Sequence, residues 1–204
     1  MKIFAKNLIK KILKNFGWKL VKINRRPPES YTQPQPSKEL FDTLLSSSGI
    51  LHLGAHRGTE AENYNWLNKR VIWIEANEEI FEDLKDNVRN YYNQKAYCYL
   101  LGDKNCIHDF YISSNDAASS SVYDFSKEVK DKNLWKNIKM VKKIKKKMTI
   151  LDEIINDNNI NIESYDHWNL DLQGAELKCL LGATNSLKFC KSIFIEISKK
   201  KYYE

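Results

Sequence analysis

Apolar and polar positions change period several times along the chain, and each change marks an element. From Lys2 to Phe16 the apolar residues Phe4, Leu8, Ile9, Ile12, Leu13 and Phe16 recur at helical spacing, with Lys6, Lys10, Lys11 and Lys14 on the other face. This predicts a basic amphipathic helix within residues 1–23. Two readings fit it: peripheral contact with an anionic membrane surface through residues 2–16, or packing of the apolar face on the domain or on a second copy. Residues 24–37, NRRPPESYTQPQPS, hold all four prolines and follow neither a helical nor a strand period. They read as an extended linker, after which one domain spans 38–204.

Within that domain a short helix at Lys38–Leu45 precedes a regular alternation. Ile50–Leu53 is apolar, Thr59–Leu67 helical, Val71–Ile74 apolar, and Glu78–Tyr92 helical with Ile80, Leu84, Val88 and Tyr91 on one side. Strand, helix, strand, helix predicts right-handed crossovers and a parallel sheet covered on both faces. Further strands are expected at Ala96–Leu101, Phe110–Ser113, Trp168–Leu172 and Ser192–Ile197, with a helix at Gly174–Leu181. The chain ends at KKKYYE directly after the last of these, which leaves that strand without an evident cover.

The composition narrows the class. At 204 residues and 42% hydrophobic content the chain can bury one sizeable core. No apolar run approaches the roughly 20 residues of a membrane span, and lysines interrupt the N-terminus too often for a signal peptide. A cytoplasmic protein is expected. Cys98, Cys106, Cys179 and Cys190 form no CxxC pair and lie at no zinc-ligand spacing, so neither a disulfide framework nor a metal site is indicated. The net charge of +7 favours anionic partners or reflects drift toward Lys, Asn and Ile.

The stretch GILHLGAHRGTE, residues 49–60, runs a strand into two glycines. Thr59 and Glu62 form a capping-box pattern, so the helix should begin at Thr59 and Gly54–Gly58 should be the turn before it. A turn at the carboxyl end of the first strand is where doubly wound sheets bind ligands, and Gly54 allows close backbone approach. Glu75, in VIWIEAN, follows Gly54 by about 20 residues, the interval taken by an acid that holds ribose hydroxyls. Together they point to a nucleoside. The turn lacks the middle glycine of the dinucleotide fingerprint, which argues against NAD and for a ligand such as S-adenosylmethionine.

A third cluster is HWNLDLQGAELKCLLGA, residues 167–183. Asp171 ends a strand that should be central, and a buried acid is costly unless paired or solvated in a cleft. Asp171 is therefore either a site residue or a cap for the following helix, with Glu176 at that helix's positive end.

These motifs, with SSS at 119–121, TILDEI at 149–154 and IFIEI at 193–197, stand in the order and spacing of the FkbM-like methyltransferases, which the chain resembles from about Ile50 to Ile197. Its H-x-GAH turn is similar to that of one branch. The resemblance implies an α/β, Rossmann-like class I methyltransferase fold with a doubly wound, mostly parallel sheet, and O-methylation of hydroxyls on sugars, glycans or related small metabolites with S-adenosylmethionine. It assigns His52, Gly54, Ala55, His56 and Gly58 to the methionine end of the cofactor, and Glu75 with Ala76 to its ribose. Asp103 falls to the adenine, and Asp171 and Glu176 to the catalytic cleft. Asp171 would contact the acceptor hydroxyl or act as base; His167 and Glu196 are the other base candidates. Two departures stand out: His52 replaces an aspartate common in the family, and the family fold continues past the last strand, so a C-terminally shortened domain is expected.

Lys139–Thr149 carries five lysines between Lys142 and Lys147. It reads as an irregular or edge strand guarded by charge, or as a patch for anionic substrates. No stacking motif or groove-reading helix accompanies it, which argues against nucleic acid. The competing functional class is a non-catalytic methyltransferase-like module that binds a partner or an anionic surface.

Overall fold

Five of the six strands expected from the sequence lie side by side, in whole or in part, in one parallel sheet. The computed structural model describes residues 37–131, 137–197 and 202–204. The expected basic helix and nearly all of the proline-rich linker lie outside them. The first described helix, α1 (Lys38–Ser46), is capped by Ser37, whose hydroxyl accepts from Leu40 N at 3.2 Å. At its other end the buried Lys69 ammonium donates to the carbonyls of Leu45 and Ser47, a cation where the helix dipole is negative.

The main sheet contains β1 (Gly49–Leu53), β2 (Arg70–Glu75), β3 (Gln94–Cys98), β7 (His167–Leu170) and β8 (Ser192–Ile195), in the order β3-β2-β1-β7-β8. All four pairings are parallel. One face carries Leu51, Leu53, Ile72, Ile74, Trp168 and Leu170 into a core shared with α5 (Leu151–Asp157) and α6 (Glu176–Leu181). The opposite face packs Ile50, Val71 and Trp73 against α2 (Ala61–Trp66) and α3 (Glu78–Val88). Helices on both faces explain why β1 is buried along its whole length and reads as a continuous apolar run. The fold is α/β and Rossmann-like, with a doubly wound parallel sheet, as expected.

Several boundaries differ from expectation. α2 starts at Ala61 and its N-cap, Glu60, makes no side-chain cap bond. Gly58 has φ +66° and its carbonyl accepts from Ala61 N, so the Gly58–Ala61 segment is a turn and the Thr59 capping box does not form. α3 ends at Val88. The apolar run 96–101 serves two sheets: Gln94–Cys98 stays in the main one, while β4 (Leu100–Leu101) joins a second, three-stranded sheet of order β4-β6-β5. There β5 (Cys106–Ser113) pairs antiparallel with the lysine-rich β6 (Met140–Thr149). β4 meets β6 only at Met148 and Thr149, so most of β6 is an edge. A short helix, α4 (Lys127–Asp131), follows β5. Residues 202–204 return to pair with 124–126 through an antiparallel bridge between Phe125 and Tyr203, so the chain past β8 does carry contacts with the domain.

Candidate active site

The strand order reverses between β1 and β7, and ligands of open α/β sheets bind at the carboxyl ends of the strands at such a switch point. Here Gly54 and Asp171 stand side by side. Gly54 has φ +82°, and a Cβ on it would lie 1.9 Å from the Asp171 carbonyl oxygen. The N–H groups of Gly54 and Ala55 both donate to Ile74 O, at 2.9 and 3.0 Å, which turns the chain away from the sheet and opens a cleft above it.

Glu75 forms the floor of that cleft. It is buried, and its two oxygens accept from His56 N and Asn77 N, each at 2.8 Å. One carboxylate thereby fixes the turns after β1 and β2, and each oxygen retains a lone pair for a hydroxyl. Asn77 continues the arrangement as the N-cap of α3, accepting from Glu79 N and Ile80 N.

The same cleft is lined by Gly54, His56, Ala76, Leu100, Phe110 and Val122, and by Asp171, Gln173 and Ala175. Among the described residues neither lysine nor arginine lines it. Burial pushes the Asp171 carboxyl up to about 7, with the Glu196 charge adding to the rise and a hydrogen bond from Gln173 opposing it. Glu176 does not present its carboxylate to the cleft in the same way: Oε1 accepts from Leu172 N at 2.9 Å and Gly174 N at 3.1 Å, which holds the turn that carries Asp171. Burial raises its pKa against the effect of those bonds.

A loop closes over the cleft. Ala117, Ala118 and Ser120 line the cavity, and Asp116 and Ala117 both have φ +59°. The loop is fixed to the glycine turn by the Arg57 guanidinium, which grips both oxygens of Asp116 and also reaches Asp83 at 2.8 Å. His56 Nε2 lies 2.8 Å from Asp116 O. Within the loop Ser119 N donates to Ser113 Oγ, and Ser121 Oγ donates to Gln173 O at 2.8 Å.

Three expected site residues lie elsewhere. His52 is 4% exposed and stacks on Trp73 at 4.8 Å, with Asn169 Nδ2 3.1 Å from its Nε2; it points into the helical layer of α2, below the cleft. His167 sits at the amino end of β7, the wrong end of the strand, with Nδ1 2.8 Å from Ser192 Oγ. Burial pulls both imidazoles down to about 4. Asp103 pairs with Lys178 at 3.3 Å and does not line the cavity, because β4 has already left the main sheet. Ala55 and Gly58 shape the turn from behind: a Cβ on Gly58 would meet Leu84 Cδ1 at 2.6 Å. The residues that sequence reasoning missed are Phe110, Val122, Gln173 and the Arg57–Asp116 pair. The Ser119–Ser121 motif marked their neighbourhood only through its resemblance.

No curated protein and no solved structure matches the chain. Residues 52–204 match the model of the methyltransferase FkbM domain, a span that runs from the strand carrying the glycine turn through Glu75, Asp171 and Glu176. A parallel sheet with its cleft at the switch point, floored by an acid after the second strand, is consistent with that match, and the chain belongs to the FkbM methyltransferase family.

Proposed function

We propose that the protein is an S-adenosylmethionine-dependent O-methyltransferase acting on a neutral hydroxyl of a sugar, glycan or related small metabolite. The observation that carries this reading is Glu75: a buried carboxylate, fixed by two backbone N–H groups beside a glycine turn, with lone pairs left to accept from a ribose diol. The residues present fit the cofactor. Gly54 leaves a space that a Cβ would fill, Leu100, Phe110 and Val122 offer an apolar slot for a purine, and the acids of the cleft suit a ligand with cationic groups. When bound, S-adenosylmethionine supplies an electrophilic methyl group.

The chain's own residues then have three tasks. The Arg57–Asp116 pair and the 114–120 loop shield the cleft from water. Gln173 and the turn held by Glu176 position Asp171. Ionised Asp171 takes the proton from an acceptor hydroxyl; a carboxyl whose pKa lies near 7 is well matched to that transfer at neutral pH. Repulsion from Glu75, Asp171 and Glu196 disfavours an acceptor with a phosphate or carboxylate at its reacting end. The four cysteines are free thiols, in keeping with a reducing, cytoplasmic setting.

Calorimetric titration with S-adenosylmethionine, wild type beside Glu75→Ala, tests the reading. Binding by the wild type and its loss in the folded variant support the nucleoside site, and methyl transfer to a panel of neutral sugars then tests the reaction. Absence of binding by the folded wild type overturns the cofactor assignment; binding without transfer to any hydroxyl acceptor favours the non-catalytic module.

A further inference from the structure

The ribbon formed by β5 and β6 has two unlike faces. Its inner face packs Phe110, Cys106, Ile112 and Ile144 toward the core beside the cleft. On its outer face Ile107 stands opposite Lys147, Asp109 opposite Lys145, and Tyr111 opposite Lys143. Lys143 and Lys145 are 52% and 70% exposed, and both bond to Asp109, at 2.8 and 2.6 Å. Three lysines thus share this face with a single aspartate, which pairs with two of them. On the same face Ile107 is 65% exposed, and at the register shift beside Lys142 Val141 is 63% exposed.

From this face we infer that the protein docks on an anionic phospholipid bilayer through the outer side of the β5–β6 ribbon. Lysines alone would protect a solvated edge against aggregation, but such an edge has no use for two aliphatic side chains set bare among them. At a membrane both have work: the ammonium groups meet anionic headgroups while the stems and the aliphatic residues enter the interface. Nucleic acid is matched less well, because the Tyr111 ring on this face is covered by Lys143 Nζ at 5.1 Å and offers no open platform for a base. Docking in this pose sets the cleft, lined by Phe110 from the inner face, within about one sheet-packing distance of the lipid, roughly 10 Å.

Flotation of the full chain with phosphatidylcholine vesicles, with and without phosphatidylglycerol, tests the proposal independently of any methyl transfer. The wild type should float only with the anionic vesicles. Lys143→Glu/Lys145→Glu/Lys147→Glu should lower the partition coefficient at least about tenfold, and Ile107→Ser/Val141→Ser several-fold, with unaltered circular dichroism. If the charge-reversed chain fails to fold, the serine variant reads the same face. Failure of the wild type to bind, or binding undiminished in the variants, overturns the proposal; the latter assigns binding to other cations, including those of residues 2–16. Loss of binding in the lysine variant alone, with the serine variant unchanged, would mark a plain polyanion site and overturn it too.

Discussion

The α-carbon of Gly54 lies so close to the carbonyl of Asp171 that a methyl group on it would approach that oxygen to 1.9 Å. The glycine turn after β1 and the strand end that carries Asp171 are therefore one packed unit. Gly54→Ala must separate β1 from β7 and also strain a left-handed backbone. We expect a loss of at least about 2 kcal/mol in urea denaturation and no measurable cofactor binding. Gly58→Ala should cost less, because its clash is with Leu84 Cδ1, a side-chain end that can rotate. Equal costs would mean that the Gly54–Asp171 contact does not set the geometry.

The Arg57–Asp116 pair joins the glycine turn to the loop over the cleft, and the Asp116 side chain is 65% exposed. Exposed pairs add little to stability, about 0–1 kcal/mol. Asp116→Ala should therefore leave the thermal midpoint nearly unchanged while S-adenosylmethionine dissociates several-fold faster in stopped-flow experiments. A variant with wild-type dissociation would show that the loop does not retain the ligand.

The proposed role of Asp171 as proton acceptor predicts a pH dependence. The groups facing it are Glu196, Glu176, Gln173 and Tyr203, and its carboxyl is raised to about 7, chiefly by burial and then by Glu196. As proton acceptor it must be ionised, so kcat should rise with pH through about 7 to a plateau. Glu196→Gln removes a like charge and should move the inflection to lower pH. Asp171→Asn should reduce transfer by about 10²–10⁴-fold. Because the folded pKa exceeds the unfolded one, the acid stabilises the fold below about pH 4 and that contribution is lost as pH rises through about 7. The asparagine variant should therefore be the more stable protein at pH 8, by about 1–3 kcal/mol. Transfer undiminished in this variant would remove Asp171 from the mechanism.

The central sheet was legible because β1 and β2 are buried on both faces and leave apolar runs that a covered parallel sheet explains. Glu75 was legible by its interval from Gly54. Phe110 was not, since its place in the cleft depends on the register of β5 against β6, shifted between Ile112 and Ser113, and a lysine-rich strand carries almost no apolar period to reveal it. Asp103 misled because one apolar run feeds two sheets, and the break at Tyr99, whose N–H still donates to Glu75 O, has no glycine or proline to mark it. His167 stands one residue before the expected strand and opens the observed β7 at its amino end; a motif locates a strand more easily than the end from which a side chain acts.

The two buried histidines make the fold sensitive to acid. Burial holds His52 and His167 at about 4, below the unfolded value near 6.5. As pH falls below about 6.5 the unfolded chain takes up these protons first, so stability present above that pH is lost progressively toward pH 4, by up to about 3 kcal/mol for each ring. Asp171 acts in the opposite sense over an overlapping range, so the wild-type profile alone is not diagnostic. The comparison with His167→Gln is, because a glutamine amide can still bond to Ser192 Oγ and does not titrate. At pH 7.5 the variant should be the less stable protein by about 1 kcal/mol, the usual worth of a modest packing and hydrogen-bond change; by pH 5 it should equal or exceed the wild type in urea denaturation. Parallel stability curves for the two proteins would show that His167 keeps an ordinary pKa and that the amino end of β7 admits water.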